Sequence, residues 1–195
     1  SLLPIEPLAA AERGDPSWLL PVPEIDVDPA IPTLKAALGR GWAEDITSHA
    51  DIERYLEALV QASSGRARLE TYGTTYEGRA LRCLIISSPG NVARLDEIRQ
   101  QNLQLADPRS LPEEAAARRI ASSPAILWLG YGIHGNETSS SDAALITAYH
   151  LLADRRPETR QALERLVIFI DPDQNPDGRE RFLASFREAR GAFPQ

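Results

Sequence analysis

The stretch AILWLGYGIHGNETSSSD, residues 125–142, combines an apolar run, a glycine-rich turn and the start of a helical pattern. The run Ala125–Leu129 is typical of a strand, and a helix is predicted from Thr138 onward. His134 and Glu137 lie in the turn between these two elements. Because open α/β sheets bind ligands at the carboxyl ends of their strands, we expect the functional site at this turn.

The composition excludes several classes of protein. The chain has 195 residues, enough for one domain with a full core, and its net charge of −7 gives no basic surface for nucleic acid. No apolar run reaches the length of a membrane span. The single cysteine, Cys83, cannot form an internal disulfide, and its apolar neighbours predict a buried thiol.

The N-terminal segment, residues 1–47, is rich in proline, which predicts an extended arm rather than an independent domain. We expect Trp18, Leu19 and Leu20 to anchor the arm, with a short helix at 33–38. The sequence begins with serine and contains no methionine, so we expect a processed or trimmed N-terminus. Removal of an export signal would explain this and favours a periplasmic or secreted location over the cytoplasm; a cloning boundary is the other explanation.

The remainder of the chain alternates between helical and strand patterns. Helices are predicted at 50–63, 92–105, 113–122, 138–153, 158–163 and 179–190, and strands at 68–76, 79–87, 125–129 and 166–170. The first two strands form a hairpin, and the strand-helix-helix-strand order after residue 124 predicts a crossover between parallel strands. We therefore predict an α/β fold with a mixed, mostly parallel sheet and helices on both faces.

The pair His134 and Glu137 suits a zinc ion, because imidazole nitrogens and carboxylate oxygens are both common zinc ligands. Gly135 and Asn136 tolerate the tight turn that would bring the two side chains to one point. On spacing alone a structural role is also open. In that case the His134 side chain only makes hydrogen bonds within the turn, and Glu137 is a favourable charge at a helix N-terminus.

A dinucleotide site is a third interpretation, because Gly130, Gly132 and Gly135 match the pattern G-x-G-x-x-G between a strand and a helix. That pattern requires an acidic residue about 20 positions later, at the end of the next strand. Here the position falls near Asp154, inside or just after a helix, while the next strand ends at Asp171. We therefore rank the dinucleotide site below the metal site.

The loop DPDQNPDG, residues 171–178, follows the next predicted strand. It carries acidic and amide groups at Asp171, Asp173, Asn175 and Asp177. We expect these groups on the same edge of the sheet as His134, because parallel strands end at one edge.

Two motifs together resemble the zinc carboxypeptidases of the carboxypeptidase A type. They are His-Gly-Asn-Glu at 134–137 and Asn-Pro-Asp-Gly at 175–178, each following an apolar strand; the hairpin sequence Tyr-Glu-Gly-Arg at 76–79 also resembles the family's early strand pair. The resemblance covers about residues 50–195. It implies a partial carboxypeptidase-like fold, in which His134 and Glu137 are two of three zinc ligands and the second motif shapes the rim of the active site.

The family's later motifs have no match in this sequence. They are a substrate-binding Asn-Arg pair, a third ligand histidine, a substrate-clasping tyrosine and a general-base glutamate. A further substrate-binding arginine follows the Asn-Pro-Asp-Gly loop in the family, and Arg187 or Arg190 could hold that place. We therefore expect residues 48–195 to be the N-terminal part of a catalytic domain, truncated at its C-terminal end.

The chain offers no convincing third zinc ligand of its own. His150 lies 13 residues after Glu137 on one predicted helix, about 20 Å along its axis. His49 has no argument for proximity, and Asp171 or Asp173 is geometrically possible. We expect the third ligand beyond residue 195.

The resemblance implies zinc-dependent hydrolysis of the C-terminal peptide bond of a peptide substrate. With half of a metal site and no identified base, the chain alone is expected to bind zinc weakly and to be inactive. Two alternatives stay open: a related metal-dependent amidohydrolase that deacylates small amino-acid conjugates, and a catalytically silent interaction module. Strand edges exposed by truncation are expected to promote self-association.

Overall fold

The computed structural model describes residues 26–107, 109 and 111–190. Its strands are β1 (Ala67–Thr74), β2 (Ala80–Ile86), β3 (Ala125–Gly130) and β4 (Leu166–Asp171). Its helices are α1 (Leu34–Leu38), α2 (His49–Ala62), α3 (Pro89–Ala93), α4 (Leu95–Ala106), α5 (Glu113–Ser122), α6 (Thr138–Ala153), α7 (Pro157–Arg165) and α8 (Pro176–Arg190). Within these residues, none of the helices is long and apolar enough to cross a membrane.

The four strands form one mixed sheet in the order β1-β2-β4-β3. The hairpin strands β1 and β2 are antiparallel, and so are β2 and β4, whereas β3 and β4 are parallel and are connected through α6 and α7. The predicted mixed α/β fold is therefore confirmed. The expectation of a mostly parallel sheet is wrong for the described strands, because the hairpin joins the parallel pair through an antiparallel β2.

Helices cover both faces of the sheet, as predicted. On one face α2 and α6 pack against Leu84, Ile168 and Ile170, and this side holds the larger core. On the other face Ile98 of α4 packs against Ile85 and Val167. Successive residues of β4 point to opposite faces of the sheet, and both faces are covered by helices. This explains why the sequence of β4 is apolar without interruption.

The described part of the N-terminal segment packs against the larger core. Ile31, Leu34 and Trp42 are buried there. The predicted short helix is present as α1, and the Thr33 hydroxyl accepts a hydrogen bond from the Ala36 amide at its start. The anchors expected at positions 18–20 lie outside the described residues.

Helix α2 begins at His49, one residue before its predicted start, and is preceded by a capping box at Ser48. The Ser48 side chain accepts a hydrogen bond from the Asp51 amide, and the Asp51 side chain accepts one from the Ser48 amide. Burial raises the pKa of the Asp51 carboxyl, but hydrogen bonds from Arg54, Ser48 and Arg40 outweigh it and lower the pKa to about 2.

The thiol of Cys83 is buried between strands, as predicted. Burial, and then the nearby charge of Asp171, raise its pKa to about 12. The thiolate is therefore scarce at neutral pH, and Cys83 is a core residue rather than a nucleophile.

The two edges of the sheet differ in their protection against pairing. Strand β1 carries Arg68 and Glu70 and has an irregularity between Thr71 and Gly73. Strand β3 contains no charge or proline, and its outer edge pairs with no strand among the described residues. Its Ile126, Leu127 and Trp128 side chains are 40–53% exposed. Edges of this kind promote association with other chains.

We expect the isolated chain to self-associate through β3. The substitution Ile126→Lys places a charge on this edge and should shift the chain toward a monomer, as measured by sedimentation velocity. Ile120→Lys is the matched control, because Ile120 is 66% exposed but belongs to helix α5 and not to strand β3. A monodisperse monomer of the unmodified chain would contradict this prediction.

Candidate metal site

The turn after β3 continues the pairing between β3 and β4 before α6 begins. Gly130 pairs with Asp171, and the Tyr131 amide then donates a 2.9 Å hydrogen bond to the Asp171 carbonyl. The Glu137 amide donates to the His134 carbonyl at 3.1 Å, which closes the turn. The predicted strand, turn and helix are therefore present at the carboxyl end of the sheet.

The structure brings the two predicted metal ligands together. His134 Nδ1 lies 3.2 Å from Glu137 Oε1, and the two side chains are 68% and 59% exposed. Two ligand atoms about 2.1 Å from one tetrahedral zinc ion are separated by about 3.4 Å, so this donor pair fits one metal ion. The same distance also permits a direct hydrogen bond between the two side chains.

Among the residues that the structure describes, no third protein ligand lies near this pair. The described residues contain no group of three or more His, Cys, Asp or Glu side chains that could hold a metal ion. His150 lies on α6 beside Asp154, with 3.8 Å between Nε2 and Oδ2. Asp171 and Asp173 are buried and do not join His134.

Gly135 is required by a close approach of two backbones. A Cβ atom at this position would lie 2.6 Å from the Gly178 carbonyl oxygen, and closer still to the Gly178 carbonyl carbon and the Arg179 amide nitrogen. The metal turn, residues 131–137, therefore rests directly on the first turn of α8. Since α8 occupies the open side of Gly135, this glycine offers no free backbone surface to a pyrophosphate, which argues against the dinucleotide interpretation.

The Asn-Pro-Asp-Gly motif is hydrogen-bonded to the metal turn. Helix α8 begins at Pro176, three residues earlier than predicted, because proline suits the first helical position. The Asn175 side chain accepts a hydrogen bond from the Gly178 amide at 3.0 Å and donates one to the Ile133 carbonyl at 3.2 Å. The asparagine therefore caps α8 and holds the metal turn at the same time.

Asp177 of the same motif anchors the β1–β2 hairpin. Its carboxylate accepts hydrogen bonds from the Thr75 hydroxyl at 2.8 Å, the Glu77 amide at 3.1 Å and the Arg79 guanidinium at 2.6 Å. Burial tends to raise the pKa of Asp177, but hydrogen bonds from Arg79 and Thr75 lower it overall. The motifs at 76–79 and 175–178 are thus parts of one structural unit.

Arg179 is a buried supporting residue that the sequence did not indicate. Its side chain is 1% exposed and donates hydrogen bonds to the Thr47 carbonyl at 2.8 Å and the Thr138 carbonyl at 3.0 Å. It also contacts the Asp142 carboxylate at 3.3 Å. Arg179 therefore ties the starts of α2 and α6 to α8. Its position directly after Asn-Pro-Asp-Gly is the only sequence signal for this role.

The two arginines considered for substrate binding lie further along α8. At 1.5 Å per residue, Arg187 and Arg190 are about 12 and 17 Å along the helix axis from Arg179. Arg190 forms an ion pair with Asp45 at 3.3 Å and lies over the ring of Phe186. These positions do not support the expectation that either arginine contacts a ligand at the metal turn.

A second polar cluster lies at the carboxyl end of β4. The Tyr72 hydroxyl donates to Asp171 Oδ2 at 2.8 Å, and the side-chain amide of Gln174 donates to the same oxygen at 3.3 Å. Burial raises the pKa of Asp171 despite these hydrogen bonds, and burial and the Asp171 carboxylate raise that of Tyr72. The cluster ties β1 to the carboxyl end of β4.

Comparison with known proteins gives consistent results. Residues 52–191 match the family model described as zinc carboxypeptidase. Carboxypeptidase D from Mus musculus is 30% identical over 136 residues, and the human protein of that name is 29% identical over the same length. Each match covers 69% of this chain and 8% of the relative, so the chain spans only a small part of the curated relatives.

The fold has a counterpart among solved structures. Carboxypeptidase A from Helicoverpa armigera aligns with a TM-score of 0.52 and 19% identity, over 77% of this chain and 31% of that chain. At this identity the likeness concerns the fold alone.

Proposed function

Because this chain belongs to the zinc carboxypeptidase family, we propose that it is part of a metallocarboxypeptidase in which His134 and Glu137 hold the zinc ion. The observation that carries this proposal is the convergence of His134 Nδ1 and Glu137 Oε1 at the end of β3. Family membership supports the reaction class, a hydrolase acting on peptides. It does not by itself make the isolated chain active.

Each part of the site has a separate task. Zinc, when bound, supplies a Lewis acid that polarises the scissile carbonyl group. His134 would supply an imidazole nitrogen and Glu137 a carboxylate oxygen, while Gly135 lets the turn rest on α8 so that both side chains keep their positions. Asn175 holds that turn through the Ile133 carbonyl, and the buried Arg179 holds the start of α6 directly after it.

The third zinc ligand and the general base belong, in this proposal, to polypeptide outside the 195 residues. The described residues hold no third ligand, and the chain covers 31% of the solved carboxypeptidase A chain. The substrate class is the C-terminal end of a peptide, in keeping with the names of the relatives. An exported location remains a prediction from the sequence.

We expect weak zinc binding by the chain that depends on His134. Zinc titration followed by NMR signals of the histidine side chains should move those of His134 and leave those of His150 in place. His134→Ala and Glu137→Gln should each lower the zinc affinity by more than about tenfold. Loss of a residue that only supports a metal ligand already costs about that much. His150→Ala is the control, because His150 lies beside Asp154 on α6 and should not affect binding.

Two results would contradict the proposal. Zinc binding of unchanged affinity in His134→Ala would remove the metal site from this turn. Hydrolysis of a peptide by the chain alone, abolished by His134→Ala and absent with a blocked peptide C-terminus, would show that the site is complete without further polypeptide.

A further inference from the structure

Helix α2 begins with a buried histidine that contacts the loop beneath the metal turn. His49 Nδ1 lies 3.2 Å from Asp173 Oδ2, and both residues are less than 10% exposed. The partners are 124 positions apart in the sequence. A carboxylate oxygen can only accept a hydrogen bond, so the imidazole donates from Nδ1. The pair therefore joins α2 directly to the loop after β4.

Asp173 lies immediately below the metal turn. A Cβ atom at Gly132 would lie 3.1 Å from the Asp173 Cα and 3.2 Å from its Oδ1. The following two residues bind the turn through their backbones: the Gln174 amide donates to the Tyr131 carbonyl at 3.1 Å, and the Asn175 amide to the Gly132 carbonyl at 3.0 Å. Residues 173–175 thus form the floor of the turn, and His49 holds one end of that floor.

The pair is poorly explained by stability alone. Within the described part of the chain, His49 Nε2 and Asp173 Oδ1 are buried without a hydrogen-bond partner, and Nε2 lies 3.7 Å from Glu53 Oε1. An apolar residue would fill the place of His49 without this desolvation cost. The start of α2 is also held independently, because the His49 amide donates to Glu180 Oε1 at 2.6 Å.

We propose that His49 is a positioning residue for the metal turn. Its imidazole fixes Asp173, and Asp173 fixes the floor on which residues 131–133 lie. A hydrogen bond is directional, whereas an apolar contact is not. The pair of His49 and Asp173 therefore determines the position of the floor rather than the stability of the core. The consequence for zinc binding rests on the proposed function, whereas the order of the floor does not.

Hydrogen exchange in the metal-free chain tests this inference. In His49→Leu, the amides of Gln174 and Asn175 are expected to exchange about tenfold faster or more, as loss of a hydrogen bond to a charged group predicts. His49→Asn should restore most of the protection, because the asparagine amide can donate from the place of Nδ1. His150→Leu is the matched control, since it removes another histidine beside an aspartate, away from the turn.

The amides of Ile85 and Ile168, in the middle of the sheet, report global stability. Unchanged exchange at Gln174 and Asn175 in His49→Leu overturns the inference. An equal rise at Ile85 and Ile168 also overturns it, because the effect is then global. A local rise supports it. If that rise occurs in a chain that binds no zinc through His134, the positioning role stands and the proposed function fails.

Discussion

Replacing Gly135 with alanine is expected to lower the free energy of unfolding by about 3 kcal/mol or more. The added Cβ would meet backbone atoms of Gly178 and Arg179, which belong to the first turn of α8. Backbone in a helix cannot rotate away as a flexible side chain can, so the metal turn and α8 must separate. Separation also breaks the hydrogen bonds from Asn175 to the turn.

Urea unfolding of the two proteins measures this difference. Gly90→Ala is the matched control, because Gly90 lies within α3 and its added Cβ would meet nothing within 4 Å apart from its chain neighbours and the backbone of its own helix. Alanine favours a helix by up to about 1 kcal/mol over glycine, so the control should be neutral or slightly stabilised. A loss below about 1 kcal/mol in Gly135→Ala would show that the turn and α8 separate easily.

Replacing Arg179 with methionine is expected to cost about 3–5 kcal/mol, the range seen when one partner of a buried ion pair is removed. The guanidinium donates hydrogen bonds to the Thr47 and Thr138 carbonyls, to the Thr47 hydroxyl and to the Asp142 carboxylate. Methionine fills a similar volume but donates no hydrogen bond, so these oxygens lose their partner in a buried place. The starts of α2 and α6 would then lose the hydrogen bonds to α8 that Arg179 donates.

Arg181→Met is the control for this prediction, because Arg181 lies on the same helix with a 70% exposed side chain. Its ion pair with Glu77 is at the surface and should contribute little to stability. Thermal unfolding of both variants compares the two arginines directly. Equal losses in the two variants would mean that burial of Arg179 adds nothing to its contribution.

The elements that carry the site could be predicted because their signals are local. The apolar run, the glycines and the pair His134 and Glu137 lie within 13 residues, and the observed β3 and α6 agree with them. The capping box at Ser48 and the hairpin turn are local signals of the same kind. Their patterns depend on neighbours along the chain, which a sequence displays directly.

The supporting residues could not be predicted because their partners are distant in sequence. Arg179 binds Thr47 across 132 positions, and His49 meets Asp173 across 124. A lone histidine or arginine in a sequence has many possible partners, and only the fold selects one. The antiparallel pairing of β2 with β4 was missed for the same reason, since an apolar strand does not show its direction.

The attachment of the hairpin to Asp177 links positions that would otherwise vary separately. Arg79 and Asp177 carry opposite charges 2.6 Å apart, and Asp177 is adjacent to the glycine on which the metal turn rests. A substitution that reverses the charge at one position therefore needs a compensating change at the other. In related sequences the residues at these two positions should covary, and a protein that has lost one of the two charges should carry a substitution at the other position as well.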